Sequence, residues 1–99
     1  MKKLEFYSMM YKNGKKQAVK HEGYTDGTYN YYKNFSTWHA IAPAVGLSII
    51  AANTRKEAQK QAQQLNAKVK ERLQGMQKAI EEFTRCQNEA AKEEVKQCI

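Results

Sequence analysis

Two short turn signals place the strongest constraint on how the first half of this chain can fold. "KNGK" (12–15) carries Asn-Gly, and "TDGT" (25–28) carries Asp-Gly. Both dipeptides favour the two-residue turns that join antiparallel strands, because Asn, Asp and Gly tolerate the positive φ angles that such turns need. The segment "LEFYSMMY" (4–11) alternates its side chains between two faces, as a strand does. We therefore predict consecutive β-hairpins, with Tyr24 and Tyr29 as cross-strand neighbours.

Further strands are predicted between residues 28 and 52. "TYNYYKNFSTWHAIA" (28–42) is either one long bent strand or two strands, and Asn34 and Ser36 favour an interruption. "PAVG" (43–46) is the next turn, and "LSIIAA" (47–52) is the last strand. If Ala42 pairs with Leu47, one face of this hairpin is wholly apolar, and we predict it as the core face. Its members are Trp38, Ala40, Ala42, Leu47, Ile49 and Ala51.

A helix is predicted to begin abruptly at residue 55. Thr54 and Glu57 have the spacing of a capping box, in which the threonine side chain caps the first helical turn. From there to Ile99 the sequence contains no proline, and apolar residues recur at the period of a straight amphipathic helix. This stripe consists of Ala58, Ala62, Leu65, Val69, Leu73, Met76, Ile80 and Phe83. Gly75 is its weak point, where the helix could kink or break.

The predicted fold class is α+β, in a single domain of 99 residues. An antiparallel sheet of about four strands (1–53) precedes a long helix or a helical hairpin (54–99) that packs on one sheet face. An unbroken helix from Arg55 to Cys98 would be about 65 Å long, whereas such a sheet is about 20 Å across. The excess length predicts that the helix folds back at Gly75 or pairs with a second copy. The candidate interface of such a homodimer consists of Met76, Ile80 and Phe83.

The residue types that carry most enzymatic chemistry lack the spacing that this chemistry needs. His21 and His39 have no Cys, Asp or His at metal-ligand spacing, and a zinc site needs three or four converging ligands. Two adjacent glutamate pairs, at 81–82 and 93–94, share one polar helix face instead of the contrasting environments of an acid/base dyad. The sequence contains no glycine-rich phosphate loop and no nucleophile elbow. We predict a protein that is not an enzyme and that uses no metal and no cofactor.

The net charge of +7 is unevenly distributed along the chain. Residues 1–72 hold thirteen basic and five acidic residues, whereas residues 73–99 hold four basic and five acidic residues. An anionic partner is therefore expected to contact the first three quarters of the chain. Basic side chains at helical spacing form a ridge that can follow a phosphate backbone, although the same pattern is typical of an ordinary solvated face. The ridge consists of Lys56, Lys60, Lys68 and Arg72.

Tyrosines are concentrated in the predicted strands. Tyr7, Tyr11, Tyr24, Tyr29 and Tyr31 are predicted to form a continuous surface on the sheet. Stacking of a nucleic-acid base on such a ring stabilises binding by roughly 1–3 kcal/mol. Two other interpretations stay open, because tyrosine is a good strand former and tyrosine-rich sheets also bind proteins.

The segment "WHAIAPAVGLSIIAANTRKEAQKQAQQL" (38–65) is similar to the local pattern of HicB-type antitoxins. The shared features are a strand, a P-x-x-G turn, a second strand and a T-x-x-E-A helix start. Pro43, Gly46, Thr54, Glu57 and Ala58 carry them. The similarity covers under a third of the chain and implies only a sheet paired with a helix, since the N-terminal hairpins and the long helix depart from that family.

In general character the chain resembles proteins of phages and mobile elements, which often act by binding host machinery, anti-CRISPR inhibitors among them. We expect a non-enzymatic binding protein that engages a nucleic-acid-handling protein, its complex or nucleic acid directly, as a regulator or inhibitor. The alternative is a homo-oligomeric structural or assembly protein that uses its C-terminal helix. The longest nearly uncharged stretch, residues 35–54, is too polar to span a bilayer as a helix. We expect a cytoplasmic protein with no membrane partner.

Overall fold

Strands and helices follow the predicted order along the chain. The computed structural model describes residues 1–65, 71–72 and 75–98. The elements are β1 (Lys2–Lys12), β2 (Lys15–Thr25), β3 (Asn30–Asn34), β4 (Thr37–Ala42), β5 (Leu47–Ala52), α1 (Arg55–Gln63) and α2 (Gln77–Cys98). The five strands form one antiparallel sheet in the order β1-β2-β3-β4-β5. The α+β class is confirmed, with five strands instead of about four.

The Asn-Gly turn closes the longest hairpin of the sheet. Asn13 and Gly14 have φ angles of 52° and 77°, and positive φ at both central residues is the pattern of a type I′ turn. The twist of this turn matches that of the flanking strands. β1 and β2 therefore pair without interruption along their whole length, as the sequence predicts.

The Asp-Gly turn is more open than predicted, and it changes the pairing of the tyrosines. The Asp26 carboxylate accepts hydrogen bonds from the backbone N–H groups of Thr28 (2.9 Å) and Tyr29 (2.8 Å). These bonds hold residues 26–29 as a loop between β2 and β3. Tyr24 consequently pairs with Tyr31. The predicted pairing of Tyr24 with Tyr29 is wrong, because a loop stabilised by a side chain replaces the two-residue turn.

Residues 28–42 contain two strands, as the interruption signals favoured. β3 and β4 pair from Asn30–Ile41 to Asn34–Thr37. The turn between them consists of only Phe35 and Ser36. The sequence therefore predicts this interruption correctly.

A β-bulge changes the predicted core face of the β4–β5 hairpin. Ala42 pairs with Leu47 as predicted, but Ala40 pairs with Ile50, so that Ile49 is the extra residue on β5. An extra residue moves every later side chain of the strand to the other face. Of the six predicted core residues, Ala40 and Ala42 are buried, Trp38 and Ile49 are partly buried, and Leu47 and Ala51 are exposed. The core-face prediction is thus wrong for β5.

Helix α1 covers one end of the sheet. Thr54 has an extended conformation, and its Oγ1 accepts a hydrogen bond from the Glu57 N–H at 3.1 Å, which confirms the predicted helix start. Ala58 and Ala62 are fully buried and belong to one apolar cluster with Tyr31. Small alanine side chains let the helix approach the large tyrosine ring closely.

Helix α2 covers the other end of the same sheet face. Phe83 and Cys86 pack on Ala18 of β2. Ala18 and Tyr24 point to the same face of β2, since alternate residues of a strand share a face. Tyr24 also pairs with Tyr31, which lies in the α1 cluster. The two helices therefore lie on one side of the sheet.

The opposite face carries a second core that neither α1 nor α2 covers. Phe6, Tyr32 and Ile41 pack together on it and are buried. The sheet curls so that the end of β1 meets the β4–β5 turn, where the Met9 N–H donates to the Gly46 carbonyl at 2.8 Å. We call this the concave face, because the curvature of the sheet itself buries its side chains.

The C-terminal apolar stripe does not lie on one straight helix. α1 ends at Gln63, and Gln64 and Leu65 are not helical. Gly75 also lies outside a helix, and α2 begins at Gln77, so of the two alternatives at Gly75, a kink or a break, the structure has the break. The earlier break at Gln64 was not predicted. Within the described ranges, no helix has the length and apolar character needed to cross a membrane.

Candidate binding surface

The predicted basic ridge is only partly assembled in the structure. Lys56 and Lys60 lie exposed on α1. Arg72 is also exposed, but it lies beyond the end of that helix, and Lys68 lies outside the described residues. A continuous ridge on one helix is therefore wrong, because the chain leaves the helical conformation at Gln64.

The predicted tyrosine surface is also divided between core and solvent. Tyr29 and Tyr31 are buried in the cluster under α1, and Tyr31 is 0% exposed. Tyr7 and Tyr24 are partly exposed, and Tyr11 is 72% exposed. A continuous surface of five tyrosines is thus wrong, because α1 packs on the two rings that follow the Asp-Gly loop. Nothing in the local sequence distinguishes these buried rings from the exposed ones.

Five elements of the fold bring basic and aromatic side chains together around Tyr24. We define this basic–aromatic patch as Lys3, Tyr24, Lys33, Trp38 and Arg55, which lie on β1, β2, β3, β4 and α1 respectively. Lys3 is the cross-strand partner of Tyr24, and Lys33 is the partner of Trp38. Both lysines are exposed, and the other three side chains are partly exposed.

The aromatic rings of the patch are held by direct contacts. The Arg55 guanidinium lies 4.4 Å from the centroid of the Tyr24 ring, a distance at which a cation is attracted to the face of an aromatic ring. The Tyr24 and Trp38 ring centroids are 6.3 Å apart with the ring planes at 44°. Contacts of this kind hold the rings in place before a ligand arrives.

The position of Arg55 follows from the helix start. Arg55 is the first residue of α1, and Thr54 before it makes the capping hydrogen bond. Because β5 ends at Ala52, the cap places the first helical turn at the end of the sheet. The N-terminal end of a helix also carries a partial positive charge. The Thr54 N-cap therefore places both Arg55 and this partial charge next to Tyr24.

The β3–β4 turn adds an exposed aromatic side chain that is not among the predicted site residues. Phe35 is 94% exposed, and its φ angle is 57°. It lies next to the Asn34–Thr37 pair, and the Lys33–Trp38 pair follows directly. Turns usually consist of Gly, Pro, Asn, Asp or Ser. A phenylalanine between Asn34 and Ser36 is the sequence signal that could have identified this position.

A polar cluster lies on the concave face. The rings of His21 and His39 stack on Tyr32, at centroid distances of 3.9 Å and 5.3 Å. His21 Nε2 is hydrogen-bonded to Ser8 Oγ at 2.6 Å, and His39 Nδ1 to Ser48 Oγ at 3.0 Å. The sequence spacing of the two histidines indicates no relation between them, whereas the sheet brings both rings onto one tyrosine.

The Ser8–His21 pair has the residue types of a nucleophile and its base, but its burial argues for a structural role. Ser8 is 2% exposed, so a substrate could not reach its oxygen without opening the sheet. Burial lowers the pKa of His21, and repulsion from His39 lowers it further. Neutral His21 therefore supplies a hydrogen-bonding partner for the buried serine. Within the described ranges, no group of three or more His, Cys, Asp or Glu could hold a metal ion.

The three residues predicted as an oligomer interface have different environments. Phe83 is buried against Ala18 and belongs to the core. Ile80 is partly exposed, and Met76, directly before α2, is exposed. The prediction is wrong for Phe83, because the sheet itself covers this part of the apolar stripe. Met76 lines an apolar groove of about 200 Å³ together with Met9, Met10, Tyr11, Lys16, Val45, Leu47, Ala79 and Glu82.

Comparisons of the chain with models of known protein families, with curated proteins and with solved structures find no match.

Proposed function

We propose that this protein is a non-enzymatic binding protein that recognises nucleic acid through the basic–aromatic patch. The observation that carries the proposal is a pair of contacts: the Arg55 guanidinium lies over the Tyr24 ring, and the Tyr24 ring packs beside the Trp38 ring. Positive groups bind the phosphate backbone, and partly exposed rings accept stacked bases. This combination is typical of surfaces that bind single strands and nucleic-acid ends.

The charges around the patch support the same proposal. Lys3 and Lys33 are exposed at its two sides, and Lys56 and Lys60 extend the positive surface along α1. The net charge of +7 attracts a polyanion at long range. Ion pairs of the described residues lie elsewhere, on β1–β2 and α2. The patch lysines therefore have no ion-pair partner among the described residues.

Binding can be measured by fluorescence anisotropy with labelled single-stranded RNA, single-stranded DNA and duplex DNA over a salt series. We expect the wild-type protein to bind and its affinity to fall steeply as salt rises, because phosphate contacts release counterions. In the double variant Lys3→Glu and Lys33→Glu, the logarithmic salt slope for a single strand should decrease by roughly 1.4, which corresponds to two lost phosphate contacts.

A matched control changes the same amount of charge at a distant place. Lys12 and Lys15 are exposed partners beside the Asn13–Gly14 turn, roughly 30 Å along β1 from Lys3. Lys12→Glu with Lys15→Glu should weaken binding much less than the patch variant does. Equal weakening by both double variants, or no wild-type binding at low salt, would contradict the proposal.

The biological role of this binding is proposed as regulation or inhibition of a host complex that handles nucleic acid. A basic surface with exposed lysines suits occupation of such a complex or of its nucleic acid. Host-lysate capture with the wild-type protein and the Lys3→Glu/Lys33→Glu variant tests this role. We expect nuclease treatment of the lysate, or the double variant, to remove the captured complex.

A second candidate function, homo-oligomeric assembly through α2, is favoured by one observation. Met76 and Leu47 are exposed apolar residues that line the same groove. A second copy covering this groove would remove both from water. Light scattering coupled to size exclusion gives the mass, and a wild-type monomer at high concentration would contradict this candidate.

A further inference from the structure

Phe35 is the most exposed large apolar side chain of the described residues. It is 94% exposed, whereas the next large apolar residue, Tyr11, is 72% exposed. Transfer of a phenylalanine side chain from water to an apolar environment is favourable by roughly 1.5–3 kcal/mol. The fold obtains almost none of this stabilisation from Phe35.

The backbone at Phe35 is also unfavourable for a bulky residue. Of the two turn residues, Phe35 has a φ angle of 57° and Ser36 does not have a positive φ. A positive φ at the first central residue alone is the pattern of a type II′ turn, and glycine is the residue that favours this position. A side chain other than glycine in the left-handed region is destabilising by roughly 1–2 kcal/mol. The backbone conformation of Phe35 is therefore destabilising, and its exposed ring contributes little to the stability of the fold.

A residue that is unfavourable for the fold and almost fully exposed is a candidate for a role in binding. The turn places Phe35 at the tip of the β3–β4 hairpin, where the Asn34–Thr37 pair and then the Lys33–Trp38 pair follow. The Trp38 ring in turn packs beside the Tyr24 ring, and the Arg55 guanidinium also lies on Tyr24. Phe35 thus lies at the β3–β4 end of the basic–aromatic patch, two positions along the chain from Lys33 and three from Trp38.

We propose that the Phe35 ring stacks on an unpaired base of a single-stranded nucleic acid whose backbone contacts the patch. This inference rests on the proposed function and identifies the class of nucleic acid. A fully exposed ring at a tip can receive a base on either face, and stacking requires no particular base. In a duplex the base faces are already stacked on their neighbours, so only single strands, loops and ends offer them.

Substitution by glycine removes the ring while it suits the turn. Phe35→Gly should have the same midpoint of thermal unfolding as the wild type or a higher one, since glycine favours a positive φ. Its affinity for a labelled single-stranded oligonucleotide should be roughly 5- to 150-fold lower, which is the effect of losing one stacked base. The salt slope should not change, because no phosphate contact is removed.

Two controls separate stacking from a general loss of apolar surface. Tyr11→Ala removes an exposed ring that lies on β1 next to the Asn13–Gly14 turn, far from the patch, and should leave affinity unchanged. A single strand with abasic sites at all central positions should bind wild type and Phe35→Gly equally, because it offers no base to the ring.

The outcomes distinguish failure of the inference from failure of the proposed function. Wild-type protein that binds no nucleic acid at low salt overturns both. Salt-dependent wild-type binding that Phe35→Gly leaves unchanged overturns the stacking inference alone. Equal weakening of single-stranded and duplex binding by Phe35→Gly overturns the assignment to single strands. Equal weakening with normal and abasic strands overturns stacking and indicates a contact with the backbone.

Discussion

Asp26 organises the loop between β2 and β3 with one side chain. One carboxylate oxygen accepts hydrogen bonds from the N–H groups of Thr28 and Tyr29, and the other accepts from the Tyr31 hydroxyl at 2.7 Å. Burial raises the pKa of Asp26, but hydrogen bonds from Tyr29, Tyr31 and Thr28 together lower it below its ordinary value. Asp26 is therefore charged at neutral pH, and it holds the tyrosine that lies beneath α1.

We expect Tyr31→Phe to destabilise the protein. Tyr31 is 0% exposed, and its hydroxyl donates to Asp26. Burial and the neighbouring carboxylate both raise the pKa of Tyr31, so the hydroxyl stays protonated as a donor. A hydrogen bond to a charged group contributes about 1.5–3 kcal/mol, so the free energy of unfolding in urea should decrease by that order. Tyr11→Phe, at an exposed ring, is the matched control, and an equal effect of both substitutions would contradict the assigned role.

The free energy of unfolding should decrease as the pH falls from about 7.5 to about 5.5. The pKa of His21 is lower in the folded state than the ordinary value of about 6.5. The unfolded chain therefore binds more protons in this range, and stability rises with pH. His21→Gln should reduce this dependence in urea melts at several pH values. Asp26 contributes only below its ordinary pKa near 4, so a slope that persists in His21→Gln would contradict the assignment to His21.

At the scale of elements, the β4–β5 turn connects the sheet to α2. Gly46 accepts the hydrogen bond from Met9, has a φ angle of 69°, and lies against the Phe83 ring. A Cβ atom at this position would overlap the ring. The glycine therefore satisfies a backbone requirement and a packing requirement at once.

Gly46→Ala should be more destabilising than Gly14→Ala. Both glycines have positive φ angles, so alanine is strained at either position, by roughly 1–2 kcal/mol. At Gly14 no atom lies within 4 Å of the added Cβ, whereas at Gly46 the Phe83 ring must move. Overpacking of this kind adds typically 1–3 kcal/mol. Equal unfolding free energies of the two variants in urea would show that the turn and α2 are not in contact.

Local signals predicted the elements well, and their pairing less well. Asn13–Gly14 and Thr54 act within their own turns, so the sequence was sufficient to predict a two-residue hairpin turn and a helix start. The Ile49 bulge depends on how two strands fit the curled sheet, and no neighbouring residue indicates it. The end of α1 at Gln63 likewise has no signal in the sequence, because the helical periodicity of apolar residues continues past it.

At the scale of the whole molecule, α2 is a structural part of the fold and not a free interaction helix. Phe83 and Cys86 pack on β2, and Lys16 forms an ion pair with Glu82 at 3.6 Å. The sequence stripe predicted apolar residues on one helix face but could not predict what covers them. The basic–aromatic patch could not be predicted from the sequence either, because its five residues come from five different elements that meet only in the fold.

We expect Phe83→Ala to reduce the free energy of unfolding by about 3–5 kcal/mol, since it leaves a cavity between α2 and β2. Met76→Ala, at an exposed position of the same apolar stripe, should change it by no more than about 0.5 kcal/mol. Chemical denaturation of both variants measures the difference. If Met76→Ala is as destabilising as Phe83→Ala, or if Phe83→Ala leaves stability unchanged, α2 is not anchored as described.

The contacts of α2 with the first hairpin join residues that are distant in sequence. The Cys86 thiol lies 3.8 Å from the Lys16 carbonyl oxygen, seventy positions earlier. At the usual speed of translation, the ribosome needs roughly 4–14 s to add seventy residues. For that time the nascent hairpin exposes Ala18 and its apolar neighbours without the helix that later covers them. The amount of folded protein in a cell should therefore depend on elongation rate and on chaperones that shield nascent chains, as well as on the stability of the finished molecule.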